Sequence, residues 1–468
     1  MCNCGCSVKL SSVLETLHSL QQRVLELEKC ALLRKSMTDD TNMQADPRST
    51  PESREKHPDA RKRESPSKVA DENSKAPSDP APETARAAII LPEMAMDATR
   101  VVMQQLCRPM DCDQLGVCLA GTVMSWIDLC AGLSSKMAAR GPCVTASVDA
   151  VHFVRPLKAN TIVIIDAVVN RTFSSSMEVQ VRVQEEDPRT GECAECCHAF
   201  LTFVSLKSLR RPDNPHPQPL PQLVASTPEQ SATLSQASER RKQRLAKAKA
   251  ADGRGPQSLP PTCYREMGVP NTAVARTVSK ADMARIKVSP GDTFSHMTQY
   301  VMPQNANPMG ITFGGQVLAW VEQAAYLSAV RLSVSGHMMT AAMDAVTFKE
   351  STKVGDILYF TSAVTAVFHS SVEVMVSVFG ERPFSGQPGA FFVLDAFVTL
   401  VSVHDDGTPQ PMQLTLEPTN DVERQRMQEA HERKEARLSL RKAFSSSQNQ
   451  AREQVGSHKH LDSLHATM

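Results

Sequence analysis

The sequence predicts an α+β protein in which one domain occurs twice in tandem, each copy an antiparallel sheet wrapped around a long central helix. Three observations predict it. The stretch LAGTVMSWIDLCAGLSSKMA (119–138) recurs as FGGQVLAWVEQAAYLSAVRL (313–332), and the motifs that follow recur in the same order. These two stretches are apolar almost all round, as a helix enclosed by other structure must be. Runs rich in Val, Ile, Thr and Phe come after each, ending in the alternating patterns HAFLTFVS and DAFVTLVS, the period of half-buried strands.

The repeat defines the organisation. TASVDAVHF (145–153) matches TAAMDAVTF (340–348), SSMEVQVRV (175–183) matches SSVEVMVSV (370–378), and HAFLTFVS (198–205) matches DAFVTLVS (395–402). The offset drifts only from 194 to 197 residues, far longer than a solenoid repeat, so this is one domain duplicated. Copy one is predicted over residues 87–207 and copy two over 290–403. Each begins with a strand (100–108; 295–302), followed by a loop, the helix, and three or four strands.

Flanking segments read differently. Residues 8–35 space Leu10, Leu17, Val24 and Ala31 seven apart, with Val13, Leu20 and Leu27 three behind. That a/d seam predicts a short coiled coil; the competing reading is a lone surface helix. Residues 37–86 are rich in Pro, Ser and charge and predict a disordered linker, having too little apolar surface to offset chain entropy. Residues 208–289 are expected to be a linker with a basic helix (226–250, ending ERRKQRLAKAKA). That helix is either a source of charge for phosphates or a solvated spacer. Residues 404–468 are expected to hold a charged helix at 420–442, weakly docked for want of an apolar face, and a disordered tail.

Composition excludes several functions. Lys+Arg and Asp+Glu both number 51 in the 468 residues, so nothing points to nucleic acid or an anionic membrane. No apolar run reaches the roughly 18 residues of a bilayer span. Thirteen scattered cysteines without a signal-peptide pattern predict reduced thiols and a cytoplasmic location. CAECC (193–197) has CxxC spacing but no second ligand pair, and MCNCGC lacks the glycine after Met that myristoylation needs. No cofactor fingerprint and no metal site is predicted. There is no GxSxG elbow for a serine hydrolase and no GxxxxGK[ST] for a phosphate loop.

The motifs WIDLCAGLSS, CVTASVDAVHF and NRTFSSSMEV in copy one, and NANPMGITFGGQVLAWVE in copy two, resemble the hot-dog acyl-CoA thioesterases, in particular those with two hot-dog domains in one chain. The resemblance covers about residues 98–206 and 290–402. It implies hydrolysis of fatty acyl-CoA to fatty acid and CoA, with acyl-CoA as the partner molecule and assembly into homo-oligomers. An acid on the central helix is implied to act as base or nucleophile: Asp128 in copy one, Glu322 in copy two. Burial should raise the pKa of both. The helix start at Gly314 and Gly315, and Gly121 in copy one, is expected to admit the thioester carbonyl to free backbone N–H groups.

One departure matters. Such enzymes carry Asn where this chain has Ile311 and, in copy one, Val117. Asn305, Asn307, Thr312 and Gln316 are the candidates to supply the polar group, Asn307 being preferred by its place in the loop. Substrate binding is expected from Thr312, Gly314, Gly315, Gln316 and Gly121. The alternative is a catalytically weak acyl-CoA-binding scaffold organised by the coiled coil. Asp149 and Asp344, at the same place in both copies, are read as structural.

Overall fold

The computed structural model describes residues 93–207, 216–252, 259, 286–333, 335–383 and 389–439. The predicted coiled coil at 8–35 and the linker at 37–86 lie outside the described residues, as does the chain after 439.

Copy one runs β1 (Val101–Leu106), α1 (Ala120–Ala139), β2 (Cys143–Val148), β3 (Val151–Phe153), β4 (Ile162–Thr172), β5 (Ser176–Glu186), β6 (Cys193–Ser205) and α2 (Pro228–Asp252). Copy two repeats it: β7 (Ser295–Tyr300), α3 (Gly314–Ala329), β8 (Met338–Met343), β9 (Val346–Thr347), β10 (Ile357–Val367), β11 (Ser371–Glu381), β12 (Ala390–Ser402) and α4 (421–439). Twelve strands form one sheet in the order β7-β10-β11-β12-β8-β3-β6-β5-β4-β1, with β9 on β2 and β2 on β6. The tandem hot-dog expectation is met.

Two equivalent seams join the copies. Ala342 and Met343 of β8 pair with His152 and Val151 of β3, while Val346 and Thr347 of β9 pair with Val148 and Ser147 of β2. Without the other copy each seam is an open edge, a liability in any sheet. Central strands such as β4, with Val163, Ile165, Ala167 and Val169 fully buried, turn every second side chain onto the helix. Helix α1 buries Val123, Met124, Ile127 and Ala131 against them. Enclosure is not complete, however: Leu129, Leu133 and Met137 are 42%, 42% and 47% exposed. They recur every fourth residue and so leave one apolar stripe on α1 uncovered.

Each copy extends further than the motif repeat indicates. Met94–Ala95, entering copy one, pairs in parallel with Leu223–Val224, leaving it. Ile286–Val288 and Leu414–Leu416 do the same in copy two. Each exit then leads into a helix laid on its own copy. Ala237 and Ala430 are fully buried, small enough for close approach. Arg240 and Arg244, one turn apart, grip the fully buried Glu178 at 2.6 and 2.8 Å, and Arg244 also reaches Asp149 at 2.7 Å. In copy two Arg433 and Arg437 grip the fully buried Glu373 at 2.7 and 2.8 Å, and Arg437 reaches Asp344 at 2.6 Å. Arg240 and Arg433 stack over Phe200 and Phe397 at 3.9 and 3.7 Å. Burial pushes the Asp149 and Asp344 carboxyls up, and the guanidinium partners oppose it.

Two expectations are corrected by these clamps. Arg240 and Arg244 of α2 are committed to buried carboxylates, so α2 is not a solvated spacer. Helix α4 docks through these ion pairs together with Ala430 and Met427, and it docks firmly. Removing one partner of a buried pair strands the other charge, at a cost of about 3–5 kcal/mol. Arg244→Ala should therefore lower stability by about that amount in urea denaturation, whereas Lys242→Ala, on an exposed ion pair with Glu239, should change it by less than about 1 kcal/mol.

Candidate active site

The two central helices meet where a glycine of one lies against the other. A Cβ added to Gly315 would lie 2.7 Å from the Asp128 Cβ and 2.8 Å from the Met124 carbonyl oxygen. One added to Gly121 would lie 2.7 Å from the Ala319 Cα. The Ser125 hydroxyl fastens the crossing, donating to the Gly121 oxygen at 3.0 Å and the Gly315 oxygen at 3.2 Å. These glycines permit the close contact between the helices.

Neither helix carries a side-chain cap at its own N-terminus. Each is capped by a carboxylate from the other. Asp128 of α1 faces the N–H groups of Gly315 and Gly314, which favour its charged form. Glu322 of α3 accepts from Ala120 N–H at 3.0 Å and Gly121 N–H at 2.6 Å. The unsatisfied first N–H groups and the positive helix end favour an anion there. The expectation that these N–H groups await a substrate carbonyl is thus corrected: the chain's own carboxylates occupy them.

A threonine completes each group. Thr145 donates to Asp128 Oδ1 at 2.7 Å, and Thr340 to Glu322 Oε1 at 2.7 Å. Both lie beside a β-bulge, where register slips between Thr145 and Ser147 and between Thr340 and Ala342. Such bulges re-aim side chains. Burial raises the pKa of Asp128 and of Glu322, and the backbone and threonine hydrogen bonds hold the rise back.

Two cavities open at these groups. The first, about 340 Å³, brings Asp128 and Thr145 of copy one together with Asn307, Thr312 and Gly314 of copy two. The second, about 710 Å³, brings Glu322 and Thr340 of copy two together with Asp113 and Gly121 of copy one. Asn307 spends its side-chain oxygen on Met309 N–H (2.9 Å) and Ile311 N–H (3.1 Å). This fixes which way its amide points and leaves the NH2 group for the cavity. Ile311 is buried and donates its backbone N–H to the Asn307 side chain. Thr312 is 8% exposed, and its hydroxyl has no partner among the described residues. A buried hydroxyl left so is costly unless a ligand meets it.

Other predicted residues fall elsewhere. Asn305 turns back to accept from Met302 N–H. Gln316 is half-buried and lines neither cavity, because a helix carries successive side chains to different faces. Gly315 acts at the helix crossing. Sequence reasoning passed over Thr145, Thr340 and Asp113, although both threonines open the repeated TAxxDAVxF motif. Among the described residues there is no cluster able to hold a metal ion and no helix long and apolar enough to cross a membrane.

A thioesterase superfamily model matches residues 115–192 and 309–383, one segment in each copy. Mouse acyl-coenzyme A thioesterase 11 is 32% identical over 340 residues, covering 73% of this chain and 53% of the relative. Rat acetyl-coenzyme A thioesterase is 34% identical over 281 residues, covering 59% and 46%. The acyl-CoA thioester hydrolase YkhA of Bacillus subtilis (strain 168), itself uncharacterized, is 34% identical over 146 residues, covering 31% of this chain and 82% of that protein. Among solved structures, an apo-hexameric acyl-CoA thioesterase is 29% identical with a TM-score of 0.32, covering 34% of this chain and 98% of that one. The chain belongs to the thioesterase superfamily, with two hot-dog domains in one polypeptide. It spans about half the length of the mouse and rat relatives.

Proposed function

We infer that the chain hydrolyses acyl-CoA thioesters at the Asp128 site. The observation that carries this reading is the convergence, in one cavity, of a buried carboxylate with a raised pKa, a threonine that orients it, and an amide donor from the other copy. Asp128 acts as general base. It takes a proton from water as the water oxygen bonds to the thioester carbon. The Asn307 NH2 group, with the Thr312 hydroxyl, faces the carbonyl oxygen as negative charge gathers on it. The carbon–sulfur bond then breaks, CoA leaves as thiolate, and the proton held by Asp128 passes to it. Lys136 and Lys349 line the same cavity and suit the phosphates of CoA.

Glu322 is assigned the corresponding position in the second cavity, and turnover is assigned to the Asp128 site. The likeness to named acyl-CoA hydrolases supports the substrate class. We place the protein in the cytoplasm, in keeping with its thirteen scattered cysteines. The open outer edges of β1 and β7 are where double units are proposed to associate into homo-oligomers.

Asp128→Asn should lower kcat by about 100-fold or more, the scale of a lost general base, in an assay of CoA release across acyl-CoA chain lengths. Glu322→Gln should cost much less; wild-type turnover in Asp128→Asn would dismiss the assignment. The pH profile gives an independent check. The base must be ionised to work, so activity falls as pH drops through its pKa. Because burial raises that pKa, the acid limb of kcat should lie above the about 3.9 of a free aspartate.

A further inference from the structure

The second cavity differs from the first at one decisive side chain. Asp113 occupies in copy one the place that Asn307 occupies in copy two, and the loops around them are superimposable in their bonding. Asp113 N–H donates to the Val117 oxygen and Asn307 N–H to the Ile311 oxygen, both at 2.8 Å. The loops turn at Gly116 and Gly310, each with φ of 72°. Asp113 spends Oδ1 on Leu115 N–H and Val117 N–H, both at 2.9 Å, as Asn307 spends its oxygen on Met309 and Ile311. What remains for the cavity is opposite in kind. Asn307 presents an NH2 donor; Asp113 presents an oxygen that only accepts.

We propose that the Glu322 cavity binds acyl-CoA without hydrolysing it, and that Asp113 is the residue that silences it. This rests on the thioesterase reading of the Asp128 site. A carbonyl oxygen gaining negative charge is stabilised by a donor in this position and repelled by a carboxylate. Losing one such donor costs about 10²–10³-fold in rate, before the repulsion is counted. Asp113 and Glu322 border one low-dielectric space, and the Asp113 charge adds to the burial that already raises the Glu322 carboxyl. Cys118 stands in the place of Thr312, and the rest of what holds the ligand is kept. Thr340 and the Ala120–Gly121 backbone still anchor Glu322. The cavity is the larger of the two, walled by Met297, Leu327 and Met338, with Arg155 as a cation for phosphate.

The test uses the full chain, the acyl-CoA it hydrolyses fastest, and the thioether analogue of that substrate, which cannot be cleaved. Calorimetry with the analogue should show two binding events per wild-type chain. Asp128→Asn should be slowed about 100-fold, and adding Asp113→Asn should restore turnover by about 10-fold or more over that single variant, the lower end of a donor's worth. Glu322→Gln should abolish the restored part. Conversely Asn307→Asp, in an otherwise native chain, should silence the first cavity while the analogue still binds there. A double variant that binds the analogue yet turns over no faster than Asp128→Asn would overturn the proposal, as would a single binding event in the wild type. If the double variant loses its fold in a thermal melt, Asn307→Asp decides alone, and native turnover in it would overturn the proposal. Native turnover in Asp128→Asn itself would instead sink the reading of the first site, a separate result.

Discussion

The site depends on an approach between two helices so close that only glycine fits. At Gly315 the backbone of α3 touches the Cβ of Asp128 and the carbonyl of Met124, and at Gly121 the backbone of α1 touches Ala319. That contact brings a short carboxylate side chain of one helix onto the N-terminus of the other, which has no cap of its own. Burying a carboxylate costs several kcal/mol unless hydrogen bonds and a favourable field meet it. Here two backbone N–H groups, a threonine and the helix end supply both. A group held ionisable in an apolar setting, with its pKa raised, is suited to take a proton from water.

Duplication in one chain lets the two sites part company. Each is assembled from both copies, so a change in one loop alters one site alone. The loop of copy one carries Asp113, Val117 and Cys118 where copy two carries Asn307, Ile311 and Thr312. All of the backbone bonding survives that exchange, and only the groups offered to a ligand differ. The seams between β8 and β3 and between β9 and β2 hold the copies in register. The clamps on Glu178 and Glu373 tie α2 and α4 down next to the strands that lead from Thr145 and Thr340.

Much of this was legible in the sequence, and the reason is the repeat. Two diverged copies act as an internal comparison, so the enclosed helix, the strand order and the acids at 128 and 322 stand out. Asn307 was reachable by loop position. Gly121 and Gly315 were visible too, but their purpose was misread, since a pattern of glycines does not say what approaches them. Thr145 and Thr340 were hidden in a strand motif because a bulge, which periodicity does not reveal, turns them toward the acid. The clamps were missed because α2 and α4 are polar, and amphipathicity was the criterion for docking. A sharper signal was present: ASERRKQRL (237–245) and AHERKEARL (430–438) repeat the alanine and both arginines.

The central claim is that helix contact at glycine places Asp128. Gly315→Ala tests it most directly, with Gly132→Ala beside it, where an added Cβ meets nothing nearer than 3.8 Å. The comparison is turnover of acyl-CoA together with the thermal midpoint. The account predicts that Gly315→Ala forces the helices apart, lowering stability by about 1–3 kcal/mol and cutting turnover far more than the remaining folded fraction explains, while Gly132→Ala keeps its native midpoint. A Gly315→Ala enzyme with native turnover and native midpoint would contradict it.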